Sequence, residues 1–365
     1  DTYCFLEVIT FLPLKLLVSL VTLLLHFLSH TLSLPLPPPL RLRFHRRHLY
    51  ACLRSLLITA SCLVLHSLHL GILYHWIRGQ AMVKLYVLIA IAEVFDRLLC
   101  SFGQDALDGL YWNSLVRPWS RQMVSATLVA MSYCVFHSVI LYLHVATLNV
   151  AMNSADQSLL TLLVSGNFAE IKSSVFKKFD KRNLFQLACS DIIERFKLML
   201  FLVLILLLNL CQDGLSAFPE FLRTALVVVL GECFSDWVKH SFITKFNAID
   251  TTAYRDYTLV LCTDLAGRES SSSVCGRGPP PGGGPGTPAG GREEDDGHES
   301  SHAINRRLGM AQVPYGCVVV RMCHEASKYV RSWGSVRQRV AVAVAAFGVT
   351  VVVKVGMGVG LKALA

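Results

Sequence analysis

The chain has 365 residues, of which 53% are hydrophobic and only 16% charged, and its mean hydropathy is +0.49. These values exclude an ordinary soluble domain, in which about a quarter of the residues are charged. Lys and Arg outnumber Asp and Glu by 34 to 25, and in a membrane protein such a surplus marks cytoplasmic loops rather than a nucleic-acid surface. The composition therefore predicts a membrane protein that contacts the lipid bilayer and no nucleic acid. Because the chain begins at Asp1 without a methionine, we expect a fragment or a processed product.

Five apolar segments and a weaker sixth, interrupted by Lys354, follow one another along the chain as candidate membrane spans. At 1.5 Å rise per residue, about 20 residues match the hydrocarbon thickness of a bilayer. Lipid-exposed backbone must satisfy its hydrogen bonds internally, so we predict an all-α fold, a polytopic transmembrane helical bundle without a sheet. The segments are Leu16–Leu36, Leu49–Ile77, Met123–Val150, Ile192–Cys211, Phe218–His240 and Val340–Ala365.

The segment Ile192–Cys211 is the clearest of these candidates, since Leu198–Leu208 is apolar without a break. A buried helix of a soluble protein would carry a polar stripe, and this run carries none. Its charges gather at one end, where we expect the long side chains to reach the lipid headgroups. They are Glu194, Arg195 and Lys197.

The region 81–112 contains a short apolar stretch and then a helix with charges on one side. We expect it to lie in, or re-enter, the lumenal membrane face rather than span the bilayer. Since Lys and Arg collect in cytoplasmic loops, we expect three basic stretches in the cytoplasm and the loop 212–220, without Lys or Arg, in the lumen. The basic stretches are 41–47, 172–182 and 306–339.

A basic amphipathic helix is predicted before the fourth segment. Its apolar residues recur at spacings of three and four, which places them on one helical face beside several lysines. Such a helix lies in the membrane surface or packs on a neighbouring domain, and basic residues beside an apolar stripe favour anionic lipid. The apolar residues are Phe168, Ile171, Val175 and Phe179, and the lysines are Lys172, Lys177 and Lys178.

Residues 268–302 consist mainly of Ser, Gly, Pro and acids, with almost no apolar side chain. Such a segment cannot bury enough surface to offset its ordering entropy, so we predict a disordered loop. A length-variable insertion is the simpler interpretation of it, and a regulatory segment is the alternative. The predicted organisation is a transmembrane core with interfacial helices over 1–266, this loop over 267–303, and a C-terminal helical region with a last membrane segment over 304–365.

Two stretches place acids beside bases within apolar sequence, each on one helical face. Ionisable groups at membrane depth are costly unless they are paired, so both stretches form a candidate intramembrane charged site. Structural ion pairs between helices, or charges near the headgroups, are the simpler alternative. The residues are Glu93, Asp96 and Arg97 in the first stretch and Glu232, Asp236, Lys239 and His240 in the second.

The two stretches are predicted to meet in the folded bundle, because an opposite charge on a neighbouring helix relieves the cost of burial. We expect Arg97 near Glu232 or Asp236, or Lys239 near Glu93 or Asp96. The histidines of the second and third segments, His137 and His144 among them, are assigned to interhelical hydrogen bonds in preference to a proton relay.

The motifs of soluble enzymes are absent from the sequence, which contains no P-loop, no H-E-x-x-H zinc motif and no G-x-S-x-G nucleophile elbow. The twelve cysteines form no C-x-x-C pair. Cys317 with Cys323 and His324 comes closest to a metal cluster, and cysteine as a small apolar filler explains it better. We therefore predict no catalytic residue, no cofactor and no metal.

Three strings carry a family signature: 77–112, beginning IRGQAMVKLY; 146–196, beginning ATLNVAMNSADQ; and 236–249, DWVKHSFITKFNAI. They resemble the eukaryotic Tapt1 family (transmembrane anterior posterior transformation proteins). The resemblance covers about residues 1–260 and returns weakly at 303–365. The Gly-Pro insert and the C-terminal helix depart from the family pattern.

The resemblance implies a multi-pass protein of the endoplasmic reticulum membrane that is not a known enzyme. Fungal relatives are linked to a SUN-domain partner that protects newly made proteins, plant relatives to lumenal folding, and vertebrate relatives to cilium formation, which makes the basal body a second location. A scaffold that works with such a partner in protein maturation would account for all of these associations. The alternatives are a transporter or channel that uses the charged stretches and, less favoured, a membrane-embedded enzyme.

Overall fold

The computed structural model describes residues 46–80, 82–116, 120–153, 158–213, 218–265 and 312–330, together with residue 21. Within these ranges the chain is helical and contains no strand, which confirms the all-α prediction. The helices are α1 (Arg46–Ser67), α2 (Leu70–Arg78), α3 (Met82–Val116), α4 (Arg121–Asn153), α5 (Ser158–Val175), α6 (Lys181–Asp213), α7 (Phe218–Phe246), α8 (Thr252–Leu265) and α9 (Gln312–Val330).

The candidate spans Leu16–Leu36 and Val340–Ala365 and the loop 267–303 lie outside the described residues. Judged by length and composition, α4 is the one helix in the described ranges that is apolar enough to cross a membrane. The part of α1 from Cys52, taken with α2, adds a second candidate that is bent by 57° at the break. Because a buried core helix passes the same test, the number of spans stays a prediction.

Helix α4 forms the centre of the bundle and packs against α1, α2, α3, α5, α6, α7 and α9. Its residues from Val145 to Met152 are all buried. The last helix, α9, packs against α1, α4 and α6, and its residues from Gln312 to Val318 are buried as well. Helix α9, within the basic stretch 306–339, is therefore part of the core, and the side of the membrane that this stretch faces stays a prediction.

The exterior of the bundle is apolar in long stripes, the reverse of a soluble protein. On α3 and α7 the exposed apolar side chains recur every three or four residues and so form one face of each helix. Contiguous apolar surface of this kind is expected where a helix meets lipid. The residues are Val87, Ile91, Val94, Leu98 and Phe102 on α3, and Leu222, Leu226, Leu230, Phe234 and Trp237 on α7.

Helix α3 corrects the prediction for 81–112, because it is one continuous helix of 35 residues rather than an apolar stretch followed by a separate helix. It runs antiparallel to α4 along most of its length. Phe95 stacks edge-on against Phe136 with ring centroids 6.0 Å apart, and Phe102 against Tyr133 at 6.1 Å. Gly103 lets the Tyr133 ring come so close that an added Cβ would lie 2.0 Å from its Cζ.

At the break between α1 and α2 the Leu65 carbonyl accepts from the Leu68 backbone N–H at 3.1 Å, and a buried arginine of α9 supplies further donors to the carbonyls of this bend. Arg321 Nε donates to the Leu65 carbonyl at 2.9 Å and Nη2 to the Leu68 carbonyl at 2.9 Å. Arg321 is only 3% exposed and its guanidinium also lies over the Tyr142 ring at 5.7 Å. Irregular backbone inside a membrane protein requires such partners, so α9 stabilises the bend.

The stretch predicted to form a membrane-surface helix is helical only as far as Val175, and its place at the membrane surface stays a prediction. Helix α5 ends at Val175, so Lys177, Lys178 and Phe179 belong to the connection that follows it. The backbone N–H of Phe179 donates to Asn247 Oδ1 at 2.9 Å, and Val175 is 5% exposed. Helix α5 packs against α7, and the predicted apolar face is buried at Val175.

The remaining residues of that prediction lie on α5 itself. Phe168 is 55% exposed, Lys172 is exposed and Ile171 is half-buried. Beyond α7, Ala248 adopts a positive φ of 52°, and the Asp250 carboxylate then caps α8 by accepting a hydrogen bond from Thr252 Oγ1 at 2.9 Å. Hydrogen bonds from Thr252 hold the pKa of the Asp250 carboxyl below its usual value.

Candidate functional site: a charged network around a cavity

Four polar side chains from three helices, three of them buried, form a continuous chain of contacts, which we call the inner tetrad. On α3, Asp96 Oδ1 lies 2.8 Å from His137 Nε2 of α4, and Asp96 Oδ2 accepts from Lys197 Nζ of α6 at 2.7 Å. His137 Nδ1 lies 3.1 Å from the Tyr133 hydroxyl. Asp96 is 4% exposed, His137 0% and Tyr133 3%, so these three are sealed inside the bundle, whereas the Lys197 side chain lines the cavity and is 17% exposed.

A second set repeats this arrangement with the same residue types, and we call it the outer tetrad. Asp191 of α6 accepts from Lys239 Nζ of α7 at 2.9 Å through Oδ1 and lies 2.7 Å from His240 Nε2 through Oδ2. His240 Nδ1 lies 2.9 Å from the hydroxyl of Tyr254 on α8. Asp191 and Lys239 are each 1% exposed, but the His240 side chain is 18% exposed.

The carboxylate fixes the direction of the hydrogen bonds in both tetrads when the ring is neutral. A carboxylate only accepts, so Nε2 of the imidazole carries the proton and Nδ1 accepts from the tyrosine hydroxyl. Burial raises the pKa of the Tyr254 hydroxyl, so this group stays protonated and can donate. Each histidine is thus held in one tautomer between an acid and a tyrosine.

Arg97 and Glu170 connect the two acid–base stretches. Arg97 Nη2 lies 3.0 Å from Glu194 Oε1, 3.3 Å from Glu93 Oε1 and 3.9 Å from Glu170 Oε1. Glu170 in turn lies 3.3 Å from Lys239 Nζ. Within α7, Lys239 Nζ lies 3.0 Å from Asp236 Oδ1, and Asp236 also pairs with Arg195 of α6. Four helices, α3, α5, α6 and α7, therefore share one ionic network.

The stretches predicted from the sequence are brought together, but their contacts pass through residues that the prediction did not include. We expected Arg97 to lie near Glu232 or Asp236, or Lys239 near Glu93 or Asp96. In the described part of the chain, Glu170 of α5 joins the two stretches by contacting both Arg97 and Lys239, while Glu194 and Asp191 of α6 pair with Arg97 and Lys239, respectively. Glu232 lines the same cavity as Glu93 and Arg97.

The charges at the start of the fourth segment form ion pairs with other helices. Glu194, Arg195 and Lys197 pair with Arg97, Asp236 and Asp96, respectively, and the expectation that they lie at the depth of the headgroups stays a prediction. The assignment of His137 to an interhelical hydrogen bond is confirmed by its contact with Asp96. The sequence does contain a signal that could have identified the site residues of α6. Asp191, Glu194 and Lys197 recur every three residues and so lie on one side of the helix.

A cavity of about 510 Å³ lies beside the network. Its walls come from α3, α4, α5, α6 and α7, and they combine charged side chains with apolar ones. The charged residues are Glu93, Arg97, Glu170, Glu194, Lys197 and Glu232. His144 also lines the cavity, and its Nδ1 is buried without a hydrogen-bond partner in the described part of the chain.

Two groups of side chains place three potential metal ligands within 4.8 Å of one another. They are Asp96 with Cys100 and His137, and Glu170 with Asp191 and Glu194. In the first group the Lys197 ammonium already contacts Asp96, and in the second Arg97 and Lys239 contact the carboxylates. These side-chain cations supply the positive charge that a metal ion would otherwise bring.

The profile of a family described as the eukaryotic membrane protein family matches residues 44–365. Endoplasmic reticulum membrane protein 65 of Schizosaccharomyces pombe is 32% identical over 367 residues, which cover 93% of this chain and 52% of the relative. No solved structure matches the chain.

Further relatives carry the name Tapt1. A Caenorhabditis elegans protein named Protein TAPT1 homolog is 34% identical over 290 residues, 78% of this chain and 37% of its own length. The Danio rerio transmembrane anterior posterior transformation protein 1 homolog is 34% identical over 328 residues, 87% of this chain and 52% of its own length. The chain thus spans about half, or less, of the curated relatives it matches.

Proposed function

This chain belongs to the eukaryotic membrane protein family that includes the Tapt1 proteins, and from that premise we propose that it is a scaffold of the endoplasmic reticulum membrane. It works with a partner protein of the SUN-domain type in the folding or maturation of membrane and secretory proteins. The name of the Schizosaccharomyces pombe relative supports the location. The proposal assigns no catalytic residue and no cofactor to the chain.

The observation that carries the scaffold role is the internal pairing of the ionic network. Arg97, Lys197 and Lys239 each contact at least one carboxylate on another helix. Pairs of this kind hold helices in register, because separating them would leave a charge in an apolar surrounding. The apolar exterior then remains for lipid and for a protein partner.

Affinity purification of the full-length protein from mild detergent tests this proposal. We expect a protein with a lumenal SUN domain to co-purify in stoichiometric amount, and we expect depletion of the chain to shorten the lifetime of newly made secretory proteins in pulse-chase labelling. Glu93→Gln, at a side chain that is 48% exposed, is the control that should keep the partner. A folded, monodisperse protein that purifies without such a partner would overturn the scaffold role.

A transporter or channel is the second candidate, and the cavity lined by Glu93, Arg97 and Glu232 is the observation that favours it. Ionisable groups that face a cavity within a membrane protein often mark a substrate path. A flux measurement in proteoliposomes that contain the purified chain distinguishes the two candidate functions. The scaffold role predicts no ion or solute flux above that of empty vesicles, whereas a flux removed by Glu232→Gln would favour transport.

A further inference from the structure

The cavity beside the ionic network has a size suited to a bound molecule. Its volume of about 510 Å³ falls in the range of known small-molecule sites, which is roughly 300–1,000 Å³. Its residues lie on five helices that the network already holds in register, so the cavity is preformed.

The charged and apolar residues of the lining lie at opposite ends. Along α3 the apolar Ile89 precedes Arg97, whereas along α6 the charged Glu194 precedes the apolar Phe201. Arg97 and Glu194 are in contact at 3.0 Å, and the neighbouring Asp96 and Lys197 at 2.7 Å. The two helices therefore pass each other in opposite directions, with their charges at one end of the cavity and their apolar residues at the other.

The charged end is the mouth and the apolar end is the floor. The side chains of Arg97 and Glu93 are 53% and 48% exposed. Phe201 and Leu148, which line the apolar part, are 3% and 5% exposed. A molecule that fits this gradient has a charged head and a hydrocarbon tail.

The mouth carries more negative than positive charge. Four glutamates line it against two bases, and one of those bases, Lys197, is held at 2.7 Å by Asp96, which is not part of the lining. The other base, Arg97, faces three of the glutamates through a single nitrogen, Nη2. Lys239, outside the lining, lies 3.3 Å from Glu170 but also contacts Asp191 and Asp236, so the surplus of acids remains. The glutamates are Glu93, Glu170, Glu194 and Glu232.

We propose that this cavity binds a phospholipid with an ethanolamine-type head. The primary ammonium has three N–H donors for the glutamate carboxylates, and the phosphate accepts from the guanidinium of Arg97, which has five donors. The cavity of about 510 Å³ holds the head and the first part of the hydrocarbon, which lies against Leu148 and Phe201. The rest of both chains leaves past Val94, which lines the cavity and is 58% exposed on the apolar outer face of α3. A choline head has no N–H to donate, and a serine head adds a carboxylate to an acidic mouth. The site is independent of the scaffold role.

Native mass spectrometry of the full chain, titrated with lipids of identical acyl chains, tests this inference. We expect one bound phosphatidylethanolamine, held about tenfold more tightly than phosphatidylcholine or phosphatidylserine, since a hydrogen bond between charged groups is lost with either competitor. Equal binding of the three lipids would overturn the proposal. So would competition by phosphoethanolamine without a tail at the same concentration as the lipid, because the apolar floor would then contribute nothing.

A variant that fills the cavity tests whether the lipid binds there. Gly166 lines the cavity, and a Cβ added there meets no atom within 4 Å. Gly166→Trp should therefore weaken phosphatidylethanolamine binding by about tenfold or more without disturbing the fold. The control is Gly109→Trp, at a glycine with the same open surroundings on α3 but outside the lining. Unchanged lipid binding in Gly166→Trp would contradict the proposal.

A second variant keeps the inference testable if the tryptophan disturbs folding. Glu93→Gln removes one carboxylate from the exposed mouth and keeps the size of the side chain. We expect it to lower the preference for phosphatidylethanolamine over phosphatidylcholine several-fold, because one charge-assisted hydrogen bond to the ammonium is lost. Binding of phosphatidylcholine should stay the same. An unchanged preference would show that the mouth does not hold the ammonium.

Discussion

The inner and outer tetrads contain the same four residue types joined in the same order, yet their surroundings differ. In the inner tetrad the His137 and Asp96 side chains are 0% and 5% exposed, and Lys197 is the member that faces the cavity, with a side chain that is 17% exposed. In the outer tetrad Asp191 is equally buried at 1%, but the His240 side chain is 18% exposed and Tyr254 is half-buried. The same hydrogen-bonding chemistry thus cross-links the centre of the bundle in one place and reaches its surface in the other.

Neighbouring residues on α3 show how abruptly the environment changes. Asp96 faces His137 and Lys197 in the sealed centre, whereas the next residue, Arg97, is 53% exposed at the mouth of the cavity. One residue along a helix corresponds to a rotation of about 100°, which moves a side chain from the interior to the outside. Burial, and not residue type, therefore decides which charges stabilise the fold and which are available to a ligand.

The largest expected effect comes from breaking the inner tetrad on one side. Lys197→Met leaves the buried Asp96 carboxylate without its cation and should lower the free energy of unfolding by about 3–5 kcal/mol. The double variant Lys197→Met with Asp96→Asn should lose less, because no uncompensated charge remains. Thermal unfolding in one detergent measures both. A double variant that is less stable than the single one would contradict the account.

Equivalent histidine substitutions compare the two tetrads directly. His137→Phe should cost about 3 kcal/mol, because Asp96 and Tyr133 both lose a partner where water does not reach. His240→Phe should cost about 1 kcal/mol, since water can replace the ring near a side chain that is 18% exposed. Unfolding curves of the two variants, recorded under identical conditions, give the difference. Equal losses would mean that the outer tetrad is as well sealed as the inner one.

A substitution at Gly103 tests the packing around the inner tetrad. In Gly103→Ala the new Cβ would lie 2.0 Å from the Tyr133 ring, so the ring must move away from its contact with His137. Overpacking of this kind costs about 2 kcal/mol. Gly109→Ala has no atom within 4 Å of its Cβ and should be neutral or slightly stabilising, because alanine favours the helix. Unfolding temperatures that shift alike in both would argue against the close approach.

The smallest effect is expected at the mouth of the cavity. Arg97→Met removes three contacts to glutamates, but the side chain is 53% exposed, so water screens them and the loss should stay below about 1 kcal/mol. The effect should shrink further in high salt. A loss as large as that of Lys197→Met would place Arg97 in the sealed centre and remove the distinction between the two regions.

Local patterns in the sequence determined the helical class, the membrane character and the presence of two charged faces. An apolar run of span length and the recurrence of Glu93, Asp96 and Arg97 at helical spacing depend only on neighbours along the chain, so they can be read from it. The length of α3 was not predicted, because a charged turn within a helix has the same local pattern as the end of one.

Only the tertiary structure decided which charges meet. Lys239 contacts Glu170 and Asp191, which lie 69 and 48 residues away in the sequence, and Arg321 reaches the bend after α1 across more than 250 residues. Helical spacing places a side chain on a face, but the register and direction in which two helices pass each other determine its partner. Those depend on the packing of the whole bundle, which is why the carboxylates of α5 and α6 became members of the site only once the helices were assembled.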